Sequence, residues 1–210
     1  MNFVDEAVNV YLRQQVDRFD EPVLLEMEAL AEEKGFPIVG RLVGGCLEML
    51  ATSIGAKRVF EMGSGFGFSA YWFARAVGER GEVVLTDGDP ENEVMAKGYL
   101  SRVDLWDRCR YHVGDAIETL EASEGEFDIV YCDIDKGDYP EAFEHARKKV
   151  RPGGLYICDN VLWSGRVARD DDDAWTEAIR RQNEIIAGDD EFLSSIIPLR
   201  DGVMVALRKP

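Results

Sequence analysis

At 210 residues with 46 % hydrophobic content, the chain is long enough to bury a sizeable core as one α/β domain and too apolar to be disordered. Its formal charge of −17 repels a phosphate backbone, so nucleic acid is not the default partner. No apolar run approaches the roughly 18 residues of a membrane span, and Met1 to Glu6 lacks the basic-then-apolar pattern of a signal peptide, so a cytoplasmic protein is expected.

Residues 3 to 57 carry no convincing strand. Ala7, Val8, Tyr11 and Leu12 recur at helical spacing, and Asp20-Glu21-Pro22 reads as a cap with proline at a helix start. Leu42, Val43, Cys46, Leu47, Leu50 and Ile54 form a third periodic stretch, so residues 1–57 are expected to be a helical N-terminal layer. From Arg58 onward strand and helix alternate. Strands are expected at Arg58 to Met62, Glu82 to Thr86, Arg110 to Val113, Asp128 to Cys132 and Leu155 to Cys158, with helices between them that include Ala70 to Val77. Such alternation builds a doubly wound, mostly parallel sheet, here over residues 58–210. The acidic run Asp170 to Asp173 reads as a solvated loop leading into a helix from Trp175 to Ile186. The end departs from the rhythm: Phe192 to Leu199 and Val203 to Leu207 are both β-like, and Arg200-Asp201-Gly202 between them is a hairpin signal, so the last strand should run antiparallel. Cys46, Cys109, Cys132 and Cys158 lack C-x-x-C spacing and read as reduced core residues.

Chemistry-bearing residues gather at the carboxyl ends of these strands, where a parallel sheet presents its ligands. One strand runs into Asp133-Ile134-Asp135-Lys136 and another into Asp159-Asn160. Asp133, Asp159 and Asn160 offer only oxygen, while His112 and His145 have no second ligand in register. Hard oxygen donors suit Mg²⁺, with Mn²⁺ or Ca²⁺ able to substitute; an Asp-Asn pair can also simply cap a turn. Lys136 is the candidate base, against a reading as a surface ion-pair lysine. Asp133 and Asp135 pull its pKa up and a bound dication pulls it down, which leaves its resting protonation open.

After the first strand comes Glu61-Met62-Gly63-Ser64-Gly65-Phe66-Gly67-Phe68-Ser69, a glycine-rich turn into a helix. Its G-x-G-x-G spacing differs from the G-x-G-x-x-G of dinucleotide binders, and a tight structural turn would also explain it. Asp87, ending the second strand, can accept ribose hydroxyls, and Gly114-Asp115-Ala116 ends the third strand where an adenine could lie. Each acid alone could be a helix cap, but their recurrence after successive strands favours one ligand. Carboxylates at Glu61 and Asp133 suit the ammonium and sulfonium of S-adenosylmethionine better than a pyrophosphate.

These residues resemble the cation-dependent, catechol-type O-methyltransferases, including caffeoyl-coenzyme-A and bacterial small-molecule members. The resemblance runs from about Phe36 and is densest at Glu61 to Ser69, Asp133 to Lys136 and Asp159 to Val167. It implies a class I methyltransferase fold, a seven-stranded Rossmann-like sheet with a C-terminal antiparallel hairpin. It implies that Val39, Glu61, Gly63, Ser69, Asp87, Ala116 and Asp133 line the S-adenosylmethionine site, that Asp133, Asp159 and Asn160 hold the metal, and that Lys136 is the base. It also implies a homodimer built on the N-terminal helices. Ser195 stands where the animal catechol enzymes carry a substrate-contacting glutamate, so a plain catechol is a weaker expectation than the chemistry. The function expected is Mg²⁺-dependent methyl transfer to a hydroxyl of a small vicinal-diol aromatic acceptor. The alternatives are methylation of a hydroxylated tRNA wobble uridine, an NAD-dependent oxidoreductase, which leaves Asp159-Asn160 and the hairpin unexplained, and a non-catalytic adenosyl-binding module.

Overall fold

The computed structural model describes residues 6–16 and 21–210. Three helices come first: α1 (Glu6–Gln15), α2 (Pro22–Lys34) and α3 (Gly40–Ser53). Of the expected cap, Asp20 lies outside the described residues, Glu21 makes no side-chain cap bond, and Pro22 opens α2, where its missing N–H costs nothing. The buried residues of α2, Val23, Leu24, Met27 and Ala31, and of α3, Val43, Gly44, Leu47 and Ala51, recur every three or four positions. Val8 and Tyr11 of α1 remain exposed.

The α/β part follows as β1 (Arg58–Met62), α4 (Phe68–Val77), β2 (Glu82–Asp87), α5 (Pro90–Ser101), β3 (Cys109–Val113), α6 (Ala116–Ala122), β4 (Phe127–Cys132), α7 (Tyr139–Ala146), β5 (Val150–Cys158), α8 (Ala174–Ala187), β6 (Phe192–Ile197) and β7 (Val203–Arg208). They form a seven-stranded sheet in the order β3-β2-β1-β4-β5-β7-β6, parallel except for the two pairs made by β7. This is the arrangement the resemblance implies. Two strands depart from expectation by more than one residue. β5 starts at Val150, not Leu155, because Val150 pairs with Phe127 ahead of a register shift. β6 ends at Ile197, since Pro198 has no N–H to extend the ladder, and the connection to β7 spans residues 198–202.

Alternate residues feed two cores. Val59, Ile129, Tyr131, Leu155 and Ile157 pack under α3 and α4 with Leu47, Trp72 and Phe73. Phe60, Val130, Cys132, Tyr156 and Cys158 face the other way, towards Phe143 and Ile179. Burial on both faces explains why these strands read as continuous apolar runs. All four cysteines are free. No helix among the described residues is long and apolar enough to cross a membrane.

The chain order reverses between β1 and β4, which opens a crevice outside their carboxyl ends. Main-chain bonds fix the loops there: Ser64 N–H donates to Thr86 O at 2.8 Å, Gly114 N–H to Asp87 O at 2.9 Å, Asp133 N–H to Met62 O at 2.9 Å and Asp159 N–H to Cys132 O at 3.2 Å. The strand ends of the crevice are thereby laced into one rim.

Candidate active site

The crevice holds a cavity of about 850 Å³, lined on its apolar side by Phe36, Ile38, Val39, Phe66, Trp163 and Trp175. Gly63, Ser69, Asp87, Asp115, Ala116, Asp133, Lys136 and Asn160 also line it, whereas Glu61 and Asp159 lie buried behind the wall. The structure thus brings the expected residues to one place. Gly63 is required there by shape: at φ 81°, any Cβ would run into the Asp133 carbonyl.

Glu61, the next-to-last residue of β1, is fully buried. The Ser69 hydroxyl donates to its Oε1, while Oε2 has no partner. Burial pushes its carboxyl up from 4.5 to about 8, with the Ser69 and Ser64 hydroxyls opposing and Asp133 and Asp87 adding to the rise. The ligand-free protein therefore holds a proton there that an unfolded chain has lost. Between pH 4.5 and about 8 the folded state binds more protons than the unfolded one, so Glu61's contribution to stability falls as pH rises through that window. Glu61→Gln is expected to flatten the decline; urea midpoints at pH 5 and 8 that shift equally in both proteins would contradict it.

Asp87 is more occupied than its sequence position suggests. Its Oδ2 accepts from Gly65 N–H at 3.0 Å, and its Oδ1 from Asp89 N–H and Asn92 Nδ2 at 2.9 Å each. It shapes the glycine turn as well as facing the cavity, and Tyr111 Oη supports the same turn by donating to Gly65 O at 2.7 Å. Asp115 caps α6 by accepting from Glu118 N–H at 2.8 Å, and Ala116 opens that helix.

Lys136 Nζ donates to Asp133 Oδ1 at 2.8 Å, to Tyr139 Oη at 2.6 Å and to Ile134 O at 3.2 Å. Burial lowers the lysine's pKa, but the Asp133 charge and hydrogen bond outweigh it and the net shift is upward. In the ligand-free protein this favours the charged ammonium. Tyr139 passes the contact on, donating to Asp159 O at 3.0 Å. Its position three residues past Lys136, on the turn entering α7, is a signal the sequence reading missed.

Asp159 is completely buried. Its Oδ2 accepts from Asn160 Nδ2 at 3.3 Å and stands 3.6 Å from Arg200 Nη1, and its Oδ1 has no hydrogen-bond partner. Burial pushes its carboxyl up, Asp133 adds to the rise, and Arg200 counters it. A buried carboxylate oxygen without a donor is costly unless a cation meets it. Asn160 takes φ 58°, a left-handed conformation that asparagine tolerates. Among the described residues no three His, Cys, Asp or Glu side chains converge as a metal cluster; the candidate set is instead two acids and an amide. The orphaned Asp159 oxygen and the all-oxygen donors fit a hard cation. Of the acidic run, Asp171 pairs with Arg166 Nε at 2.7 Å and Asp173 caps α8, so these two are engaged, not simply solvated.

Residues 20–209 match the family described as O-methyltransferase. The chain is 34% identical to a catechol O-methyltransferase of Mycobacterium tuberculosis over 77% of this chain and 75% of that one. It is 29% identical to a catechol O-methyltransferase of Niastella koreensis over 99% of both. Among solved structures, it is similar to the O-methyltransferase TomG of Streptomyces achromogenes, involved in tomaymycin synthesis and solved in complex with SAM, with a TM-score of 0.83, 29% identity and 91% of each chain covered. It is also similar to an O-methyltransferase of Bacillus cereus in complex with SAH, with a TM-score of 0.83, 28% identity, and 90% and 92% of the two chains covered. The sheet order, the rim of acids and a match that spans nearly the whole sequence agree: the chain belongs to the O-methyltransferase family.

Proposed function

We propose that this chain transfers a methyl group from S-adenosylmethionine to one hydroxyl of a small vicinal-diol aromatic acceptor, with Mg²⁺ in the site. The observation that carries this reading is the meeting of Lys136, Asp133 and Asn160 on one cavity wall, with Asp159's unpaired oxygen behind it. The relatives named as catechol O-methyltransferases support the acceptor class.

S-adenosylmethionine, when bound, supplies an electrophilic methyl on a sulfonium. Asp133 offers negative charge to its cationic groups, and their arrival favours loss of the Glu61 proton so that Glu61 can offer a second; Asp87 accepts from the ribose hydroxyls, Val39 and Ser69 bound the pocket, and Asp115 with Ala116 borders the adenine. Asp133, Asp159 and Asn160 would hold Mg²⁺, whose charge lowers the pKa of a coordinated hydroxyl; Mn²⁺ or Ca²⁺ fits the same donors. Lys136 Nζ receives the acceptor's proton as its oxygen takes the methyl and the cofactor leaves as a neutral thioether. Asp133 keeps that nitrogen charged in the ligand-free protein, so base action requires the carboxylate's charge to be turned elsewhere, as its place in the ligand set provides. Trp163 and Trp175, 6.1 Å apart edge to face, wall the cavity against water beside Lys136.

Among the described residues that line the cavity, Lys136 is the one cation, against Asp87, Asp115, Asp133, Asp135 and Asp138. That balance opposes a tRNA acceptor. Membership of the O-methyltransferase family sets aside the dehydrogenase and non-catalytic readings. The deciding experiment is a screen with labelled cofactor against catechols, caffeoyl thioesters, flavonoids and undermodified tRNA, with and without Mg²⁺. Turnover of tRNA alone would replace the acceptor proposed.

Asp87→Ala is expected to weaken S-adenosylmethionine binding by about 1.5–3 kcal/mol, the range for hydrogen bonds to a charged group. Calorimetry gives the affinity, and a parallel melt separates ribose contacts from loss of the Gly65 and Asn92 bonds. Unchanged affinity, or tighter binding of NAD, would overturn the pocket assignment. The protein is further proposed to be a cytoplasmic homodimer joined through its N-terminal helices; a monomeric mass by light scattering at micromolar concentration would refute the dimer.

A further inference from the structure

Arg200 is unusual in two independent ways. Its backbone takes φ 53°, a left-handed conformation that a long side chain seldom adopts, and its guanidinium reaches to 3.6 Å from the buried carboxylate of Asp159. The loop that carries it is fixed by other residues. Val161 N–H donates to Gly202 O at 3.1 Å, Leu162 N–H to Asp201 O at 2.9 Å, and Ser164 N–H to Asp201 Oδ1 at 2.5 Å. A Cβ at Gly202 would run into Leu162, so the tip sits flush on the segment after Asn160. The loop therefore holds its place whatever side chain stands at 200, and the charge of Arg200 is an addition to it.

Each acid of the candidate metal set has a cation beside it: Lys136 lies on Asp133 and Arg200 on Asp159. Oδ2 of Asp159 faces the guanidinium and the unpartnered Oδ1 is left for a metal ion, so the two positive charges would share one carboxylate and repel one another at such range. The arginine side chain is 42% exposed and can turn into water.

We propose that Arg200 is a built-in counter-ion for Asp159 which competes with the divalent cation and so sets the metal affinity of this site. The proposal rests on the metal reading above. The arginine stabilises the carboxylate while the ion is away, and its displacement is a cost subtracted from ion binding. A site of the same donors without this charge binds its ion more tightly.

The test titrates Mn²⁺ alone into the full chain, with free Mn²⁺ read by electron paramagnetic resonance, and repeats it with Mg²⁺ by calorimetry. Both are run on wild type, Arg200→Gln, Arg200→Gly and Arg200→Lys. The glutamine and glycine variants are expected to bind about tenfold more tightly than wild type, as removal of one like charge near a surface ligand predicts, and the lysine variant to stay close to wild type. Equal or weaker binding by Arg200→Gln overturns the proposal. Tightening in Arg200→Gly but not in Arg200→Gln assigns the effect to backbone strain and overturns it as well. Binding that survives Asp159→Asn unchanged, or no binding by any protein, removes the metal site itself, an outcome distinct from equal affinities across the Arg200 series.

Discussion

Asp159→Ala is expected to leave a folded protein that binds S-adenosylmethionine almost normally and turns over at least about 10³-fold more slowly, since Lewis-acid stabilisation is worth several kcal/mol. The fold should survive because the substitution removes a buried acid with one unpaired oxygen, not a packed apolar group. Cofactor affinity should survive because the contacts proposed for the ribose and the cofactor's ammonium fall to Asp87 and Glu61, on other strands. EDTA should have the same effect on the wild-type protein, and added Mg²⁺ should reverse it there but not in the variant. Wild-type turnover undiminished by EDTA would eliminate the metal mechanism.

Lys136→Ala should have a different signature. Its kcat is expected to fall by roughly 10²–10⁴, the usual worth of a positioned base, while Mg²⁺ and cofactor still bind. Tyr139 keeps its bond to the Asp159 carbonyl when the ammonium is removed, so the neighbouring strand end stays in place. Lys136→Arg should not restore the rate, because a guanidinium does not give up its proton at working pH. A normal kcat in Lys136→Ala would reduce Lys136 to an ion-pair partner of Asp133.

The two variants therefore test separate halves of one site, and both halves are visible in the linear sequence for a local reason. Apolar runs that stop at an acid, such as those ending at Asp87, Asp133 and Asp159, mark strand ends in the chain itself, and glycine spacing at Gly63, Gly65 and Gly67 marks the turn after β1. The antiparallel finish is legible through Asp201-Gly202. Element ends are less so: Val150 joins β5 only through its pairing with Phe127, a contact between distant residues.

Period, turn chemistry and the order of motifs are local properties, and they suffice for the α/β class, the hairpin and the acids at strand ends, whereas Val39 and Ser69 enter only through the family resemblance. Strand order is non-local, and only the folded sheet places β1 beside β4 and so opens the crevice at Gly63 and Asp133. Protonation belongs to the same category, because desolvation depends on what packs around a group. Glu61, next to last in β1, and Asp87, last in β2, are both acids near strand ends, yet one is buried and raised to about 8 while the other is held by Gly65 and Asn92. The reach of Arg200 to Asp159 across 41 positions, from 159 to 200, has no local signature. It arises because β7 runs antiparallel to β5 and brings the hairpin tip back over Asp159 and Asn160.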